Sequence, residues 1–199
     1  MDTIRLYLPE TAYAPDQLTV QIGLYAPEGY RLGITARDGQ ELGDSLVLGE
    51  IRLRPRSDTL PNPQAHNFNN EIHLLGYSYS GRDLHPGDTL DITLFWQAQR
   101  GNLPQYTVEI HLVDEQGHVY ARADNRPVNG QSPTTGWQRW QNITDTHSLL
   151  IPLDISPNSY QIHVSLLDEQ TGLRQNRVAP DGHWIDNQLL LAPLRITLP

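Results

Sequence analysis

Trp137, Trp140 and Trp184 are the side chains of this sequence with most to offer a ligand. Trp137 and Trp140 lie in a stretch rich in Gly, Pro, Ser and Thr that runs from Asn129 to Asn142. Trp184 lies between Gly182 and Asp186. An indole exposed in such a loop can stack on a sugar ring while neighbouring Asn, Gln and Asp bond its hydroxyls. The same ring turned inward plugs the open end of a β-sandwich, and plugging is the commoner use.

Eight histidines raise the question of a metal. No pair has the HExxH spacing that sets two imidazoles on one helix face. His111 and His163 alternate with apolar residues, so both are expected to face outward, side by side if their strands pair. His111 and His163 with Glu109 or Asp114 are then the set that could hold a cation; the plainer reading is a polar outer face. Asp88, Asp91, Asp114, Asp168 and Asp181 fall in turns or at strand starts, where Asp serves its own backbone hydrogen bonds. There is no Gly-x-Ser-x-Gly elbow and no phosphate loop. No catalytic residue, metal or cofactor is expected.

The elements that must position these residues read as strands. Leu90, Ile92, Leu94, Trp96 and Ala98 alternate with Asp91, Thr93 and Gln97. Val108, Ile110 and Leu112 alternate with Glu109 and His111, and Tyr160, Ile162, Val164 and Leu166 alternate with Gln161, His163 and Ser165. Leu18, Val20, Ile22 and Leu24 repeat the pattern. Period-two alternation puts one set on each face of a strand. A slip of one residue would expose a whole set, so these faces fix register. Fifteen Gly and fifteen Pro punctuate the chain, with turns at His85-Pro86-Gly87-Asp88, Asp114-Glu115-Gln116-Gly117, Asp168 to Gly172, Asp181-Gly182 and Asp38-Gly39. No stretch keeps a helical period. The fold class is all-β, an antiparallel β-sandwich of the immunoglobulin or fibronectin kind, without the Cys-Trp-Cys signature of true immunoglobulin domains.

The chain carries a net charge of −9, and its fourteen basic residues are all Arg. Nothing suggests a basic face, so nucleic acid is not an expected partner. Cysteine is absent, which removes disulfides, thiol catalysis and Cys-ligated zinc. No apolar run approaches the ~20 residues of a membrane span. No signal peptide is legible, since Met1-Asp2-Thr3-Ile4-Arg5 leads straight into strand-like sequence. The chain therefore reads as cytoplasmic or as a piece of a longer protein.

A repeat is also present. Ala14 to Tyr25 aligns with Ser156 to Leu167 at an offset of 142. After one inserted residue the offset is 143: Gly29 meets Gly172, Asp38-Gly39 meets Asp181-Gly182, and Leu46, Leu48, Ile51, Arg52 and Leu53 meet Leu189, Leu191, Leu194, Arg195 and Ile196. The expected organisation is a partial copy of the sandwich unit, its back half, at 1–54, a Pro-rich linker at 55–68, and a complete sandwich at 69–199. Half a sandwich leaves an apolar face. The expectation is that it packs on the complete unit; dimerisation or domain swapping is the other outlet.

Specific residues carry a family likeness. Leu74-Leu75-Gly76-Tyr77 is followed by Pro86-Gly87-Asp88-Thr89-Leu90, Leu94-Phe95-Trp96-Gln97-Ala98, Tyr106-Thr107-Val108 and His111-Leu112-Val113-Asp114. Pro133-Thr134-Thr135-Gly136-Trp137-Gln138, Tyr160-Gln161-Ile162 and Leu166-Leu167-Asp168 complete the order. This order resembles a β-sandwich module of bacterial membrane proteins, frequent in Chloroflexi and cyanobacteria. The module follows the multi-spanning part of glycosyltransferase-like proteins similar to dolichyl-phosphate-mannose-protein mannosyltransferases. The resemblance implies an extracytoplasmic, non-catalytic module, often in tandem, whose partners are the membrane part of its parent protein or a glycan. In such enzymes the catalytic acid and lipid-phosphate site lie in the membrane part, so no catalytic residue is carried over. The chain departs from the pattern at Asn158-Ser159, where Gly-Thr is usual, and at Arg139-Trp140, where Pro-Gly is usual. A carbohydrate-binding module using the loop Trp residues is the alternative reading.

Overall fold

The computed structural model describes residues 3–8 and 11–198. The described chain is almost entirely strand and turn, and no helix among the described residues is long and apolar enough to cross a membrane. It divides into two compact units. One is Tyr13–Pro55, and the other is formed by the rest of the described chain.

The smaller unit holds β1 (Asp16–Ile22), β2 (Ile34–Thr35), β3 (Glu41–Gly43) and β4 (Leu46–Leu53). β1 pairs antiparallel with β4, and β2 with β3. Asp38-Gly39 makes the expected hairpin turn between β2 and β3, with Gly39 at φ 88°. That left-handed conformation is open to Gly without penalty.

The larger unit carries two sheets. Its strands are β5 (His66–Phe68), β6 (Ile72–Tyr79), β7 (Asp83–Leu84), β8 (Thr89–Ala98), β9 (Tyr106–Val113), β10 (Val119–Arg122), β11 (Asn142–Leu150), β12 (Asn158–Asp168), β13 (Arg177–Val178), β14 (Leu189–Leu190) and β15 (Leu194–Ile196). One sheet runs β10-β9-β12-β15-β7, with β14 also on β12. The other runs β11-β8-β6-β5-β13. Pairing is antiparallel except between β15 and β7. The two sheets make an all-β sandwich. Its core is built from the alternating sets read in the sequence: Leu90, Ile92, Leu94 and Trp96 of β8, Val108, Ile110 and Leu112 of β9, and Tyr160, Ile162, Val164 and Leu166 of β12 are all buried. Each such side chain removed from water contributes roughly 1.5–3 kcal/mol.

The two stretches related in sequence have the same strand register. In the larger unit β12 pairs Asn158 with Ile196, Ser159 with Arg195, Tyr160 with Leu194, His163 with Leu190 and Val164 with Leu189. In the smaller unit β1 pairs Asp16 with Leu53, Gln17 with Arg52, Leu18 with Ile51, Gln21 with Val47 and Ile22 with Leu46. Each pair maps onto its counterpart through the offsets of 142 and 143. The turns follow suit: Ala36 N–H bonds Gln40 O as Ala179 N–H bonds His183 O, and Gly29 N–H bonds Ala26 O as Gly172 N–H bonds Asp168 O. What differs is burial. Tyr160, Ile162, Val164 and Leu166 are buried, whereas Leu18 and Val20 are half-buried and Ile22 and Leu24 are exposed.

The segment 55–68, expected as a linker, is one only at its start. Tyr77 N–H bonds Pro61 O, Gln64 N–H bonds Leu75 O, and His66–Phe68 is strand β5 with Phe68 buried against Trp96. Its prolines interrupt the alternation that marks a strand in the sequence. Gly76 admits the segment, because a Cβ there would stand 2.6 Å from Pro61 O. Thr3–Leu8, which reads as strand-like, forms no strand; Met1 and Asp2 lie outside the described residues.

Candidate functional site

The outward face of β9 and β12 brings together the polar residues that alternate with the core. His111 and His163 are direct cross-strand partners, as the sequence suggests, and Glu109 stands opposite Ser165. His111 lies on the outward face expected of it, yet it is only 5% exposed and Glu109 9%. Neighbouring groups close over them. His111 Nε2 lies 3.1 Å from Asp124 Oδ1, on the segment that returns along β9 after β10. Glu109 Oε2 accepts a 2.6 Å bond from Arg174 Nε and a 2.8 Å bond from Ser165 Oγ. Burial pushes the Glu109 carboxyl up, but the bonds from Arg174 and Ser165 outweigh it and hold it below its usual value. Burial keeps the His163 imidazole low, hence neutral at pH 7. Ser165 is buried and its hydroxyl donates a hydrogen bond to the carboxylate, so it acts as a strut for Glu109. Asp114 does not join. Its carboxylate accepts the N–H groups of Gln116 and His118 and the hydroxyl of Tyr120, closing the β9–β10 turn.

The three candidate tryptophans separate. Trp137 is 3% exposed, and its Nε1–H bonds the carbonyl and hydroxyl of Ser132, so it plugs the sandwich. Trp140 is 54% exposed and Trp184 70%. Trp140 holds φ at 68°, a left-handed conformation that costs a bulky residue about 1–2 kcal/mol. The Arg139 guanidinium sits 4.7 Å from its ring centre, occupying one face. Trp184 stands on the hairpin after β13 and bridges to Val178. A cleft of about 590 Å³ lies along the paired strands β5 and β13, with His66, Asn67, Arg177, Val178 and Ile185 in its walls. Arg177 is fixed there by two bonds to Asp186 and one contact with His66 Nδ1. The volume falls within the range of small-ligand sites.

A second polar group lies inside the sandwich. Asp145 and His147 of β11 point inward and are fully buried. Asp145 accepts from His147 Nε2 at 2.8 Å, Trp96 Nε1 at 3.2 Å and the Val128 N–H at 2.7 Å. The last bond pins the turn Pro127–Gly130, where Val128 and Asn129 both hold positive φ. A β-branched residue rarely adopts that conformation, and the buried carboxylate is what holds it.

No family model and no curated protein matches the chain. Solved structures do share its shape in part. The C-terminal domain of wzt is 11% identical, with 73% of this chain and 83% of that chain covered and a TM-score of 0.48. A Niemann-Pick type C2 protein from Japanese carpenter ant is 9% identical over 68% and 95%, with a TM-score of 0.36. AvmM, which catalyses macrocyclization in alchivemycin A biosynthesis, is 14% identical over 69% and 97%, with a TM-score of 0.34.

Three participants were invisible to sequence reasoning. Asp124 reaches His111 only because the chain doubles back after β10, and no fixed spacing encodes that. Asp145 and His147 alternate as an inward pair in Asn142–Leu150, whose few apolar residues conceal a strand.

Proposed function

We propose that this chain is a non-catalytic, extracytoplasmic β-sandwich module of a membrane glycosyltransferase-like protein, spacing, docking or presenting an acceptor. The observation that carries the reading is the shared register of β1–β4 and β12–β15, which suits a module used in tandem. The ordered motifs fit it as well: Leu74–Tyr77 lies in β6, Leu94–Ala98 in β8 and Tyr160–Ile162 in β12. On this reading Tyr13–Pro55 is the back half of a second immunoglobulin-like unit. The test is fractionation of cells making the intact gene product, with protease added outside the inner membrane. The region is expected in the membrane fraction and open to cleavage from outside; a soluble cytoplasmic product contradicts the proposal.

The cleft along β5 and β13, with the exposed Trp184 on the same hairpin as Ile185, favours a second reading, a carbohydrate-binding module. It gathers the imidazole, amide and guanidinium of His66, Asn67 and Arg177 with Ile185, the chain neighbour of the exposed Trp184, a set suited to bonding a sugar's hydroxyls. Trp140 is a second platform. Glycan-array binding lost in Trp184→Ala and kept in a distant surface variant supports this reading. Binding that persists in both Trp184→Ala and Trp140→Ala refutes it.

A further inference from the structure

The outward face of β9 holds three ligand-type side chains that converge, and neither the module reading nor the sugar reading uses them. One oxygen of Glu109, one of Asp124 and a ring nitrogen of His111 all lie within 4.8 Å of one another. We propose that Glu109, His111 and Asp124 form a binding site for a divalent transition cation of the zinc class.

The geometry argues for it in three ways. First, His111 Nε2 and Asp124 Oδ1 stand 3.1 Å apart. Two ligands each about 2.1 Å from one metal ion, at a near-tetrahedral or right angle, stand about that far apart. The pair can therefore accept an ion with little movement. Second, Glu109 is held as a ligand is held. Its Oε2 accepts bonds from Arg174 and Ser165, which fix the carboxylate beside His111 and Asp124. Hydrogen-bonded carboxylates of this kind are the usual support around a metal site. Third, the site has a wall and a door. Glu109 and His111 are buried, whereas the Asp124 side chain keeps 31% of its exposure, so an ion enters from that side and water completes its shell. Two carboxylates and one imidazole select among metals. The imidazole disfavours calcium and magnesium, and the absence of thiolate disfavours copper(I), which leaves zinc or a neighbouring divalent ion. His163, directly across from His111, places a second imidazole beside the site.

The test uses the full chain stripped with EDTA and titrated calorimetrically with zinc chloride alone. One zinc per chain is expected, with a rise in Tm on saturation. Asp124→Asn is the decisive variant because Asp124 lies at the surface and outside the core. It is expected to weaken zinc binding by more than the ~10–100-fold that losing a supporting partner costs. His111→Ala should abolish binding; circular dichroism checks that its fold is kept. The control is His183→Ala, which removes an exposed His paired with Asp181 elsewhere and should bind zinc as the parent does. No stoichiometric binding by the parent, or binding unchanged in Asp124→Asn, overturns the proposal. So does binding lost in His183→Ala instead.

Discussion

At the residue scale, chemically similar side chains do opposite jobs, and burial separates them. Trp137 and Trp140 are three positions apart, yet one fills the sandwich and the other faces water. Trp137→Ala is expected to cost about 3–5 kcal/mol, the usual penalty for emptying a core aromatic site. Trp140→Ala should stay within about 1 kcal/mol, because it gives up only an exposed stack with Arg139 and leaves the backbone strain as it was. Urea titration of both variants checks the contrast. Asp145 is the more exacting case. Removing it strands the Trp96 and Val128 N–H groups and His147 in a dry interior, so Asp145→Ala should cost about 3–5 kcal/mol. His73 gives a pH dependence. Burial holds its imidazole below the usual value. The unfolded chain therefore takes up the proton first, and the stability contributed by neutral His73 is full above about pH 6.5 and falls as pH drops toward the folded value. The loss of urea midpoint between about pH 7.5 and pH 5.5 should be smaller in His73→Gln than in the parent. An equal loss in both would contradict this origin. Little of this was legible beforehand. Three Trp in loop-like sequence look alike until packing assigns their sides. His111 was placed on the correct face, but its cover comes from Asp124, thirteen residues on and past a turn.

At the element scale, the strands with regular alternation were legible and the short or polar ones were not. β8, β9 and β12 follow directly from their apolar sets, because one buried face demands period two. β5 lies under a run of prolines, and β11 spends two of its inward positions on Asp145 and His147. In both, tertiary partners supply what the local pattern lacks: Trp96 packs on Phe68 and bonds Asp145. The β5 approach gives its own test. Gly76→Ala drives a methyl into the Pro61 carbonyl and the Leu60 side chain. It should cost about 1–3 kcal/mol, as overpacking does, and release the 61–64 segment from β6. Limited proteolysis near Leu60 should speed up in that variant and stay unchanged in Gly136→Ala, whose new methyl meets nothing within 4 Å.

At the scale of the whole molecule, one pattern of strand pairing occurs twice with different degrees of completion. In the larger unit β12 has β9 on one edge, β14 and β15 on the other, and a facing sheet over its apolar side. In the smaller unit, among the described residues, β1 has β4 alone in its sheet, and Ile22 and Leu24 remain in water. Stability should be distributed accordingly, since amides protected by few buried side chains open more readily. Amides of β1 and β4 are expected to exchange well before those of β8, β9 and β12. The measurement that bears most directly on the repeat is the pattern of cross-strand nuclear Overhauser contacts in both units. The account expects 16 to face 53, 18 to face 51 and 22 to face 46, matching 158 with 196, 160 with 194 and 164 with 189. A one-residue shift in either set, or helical contacts in 14–25, would show that the two stretches do not share a fold.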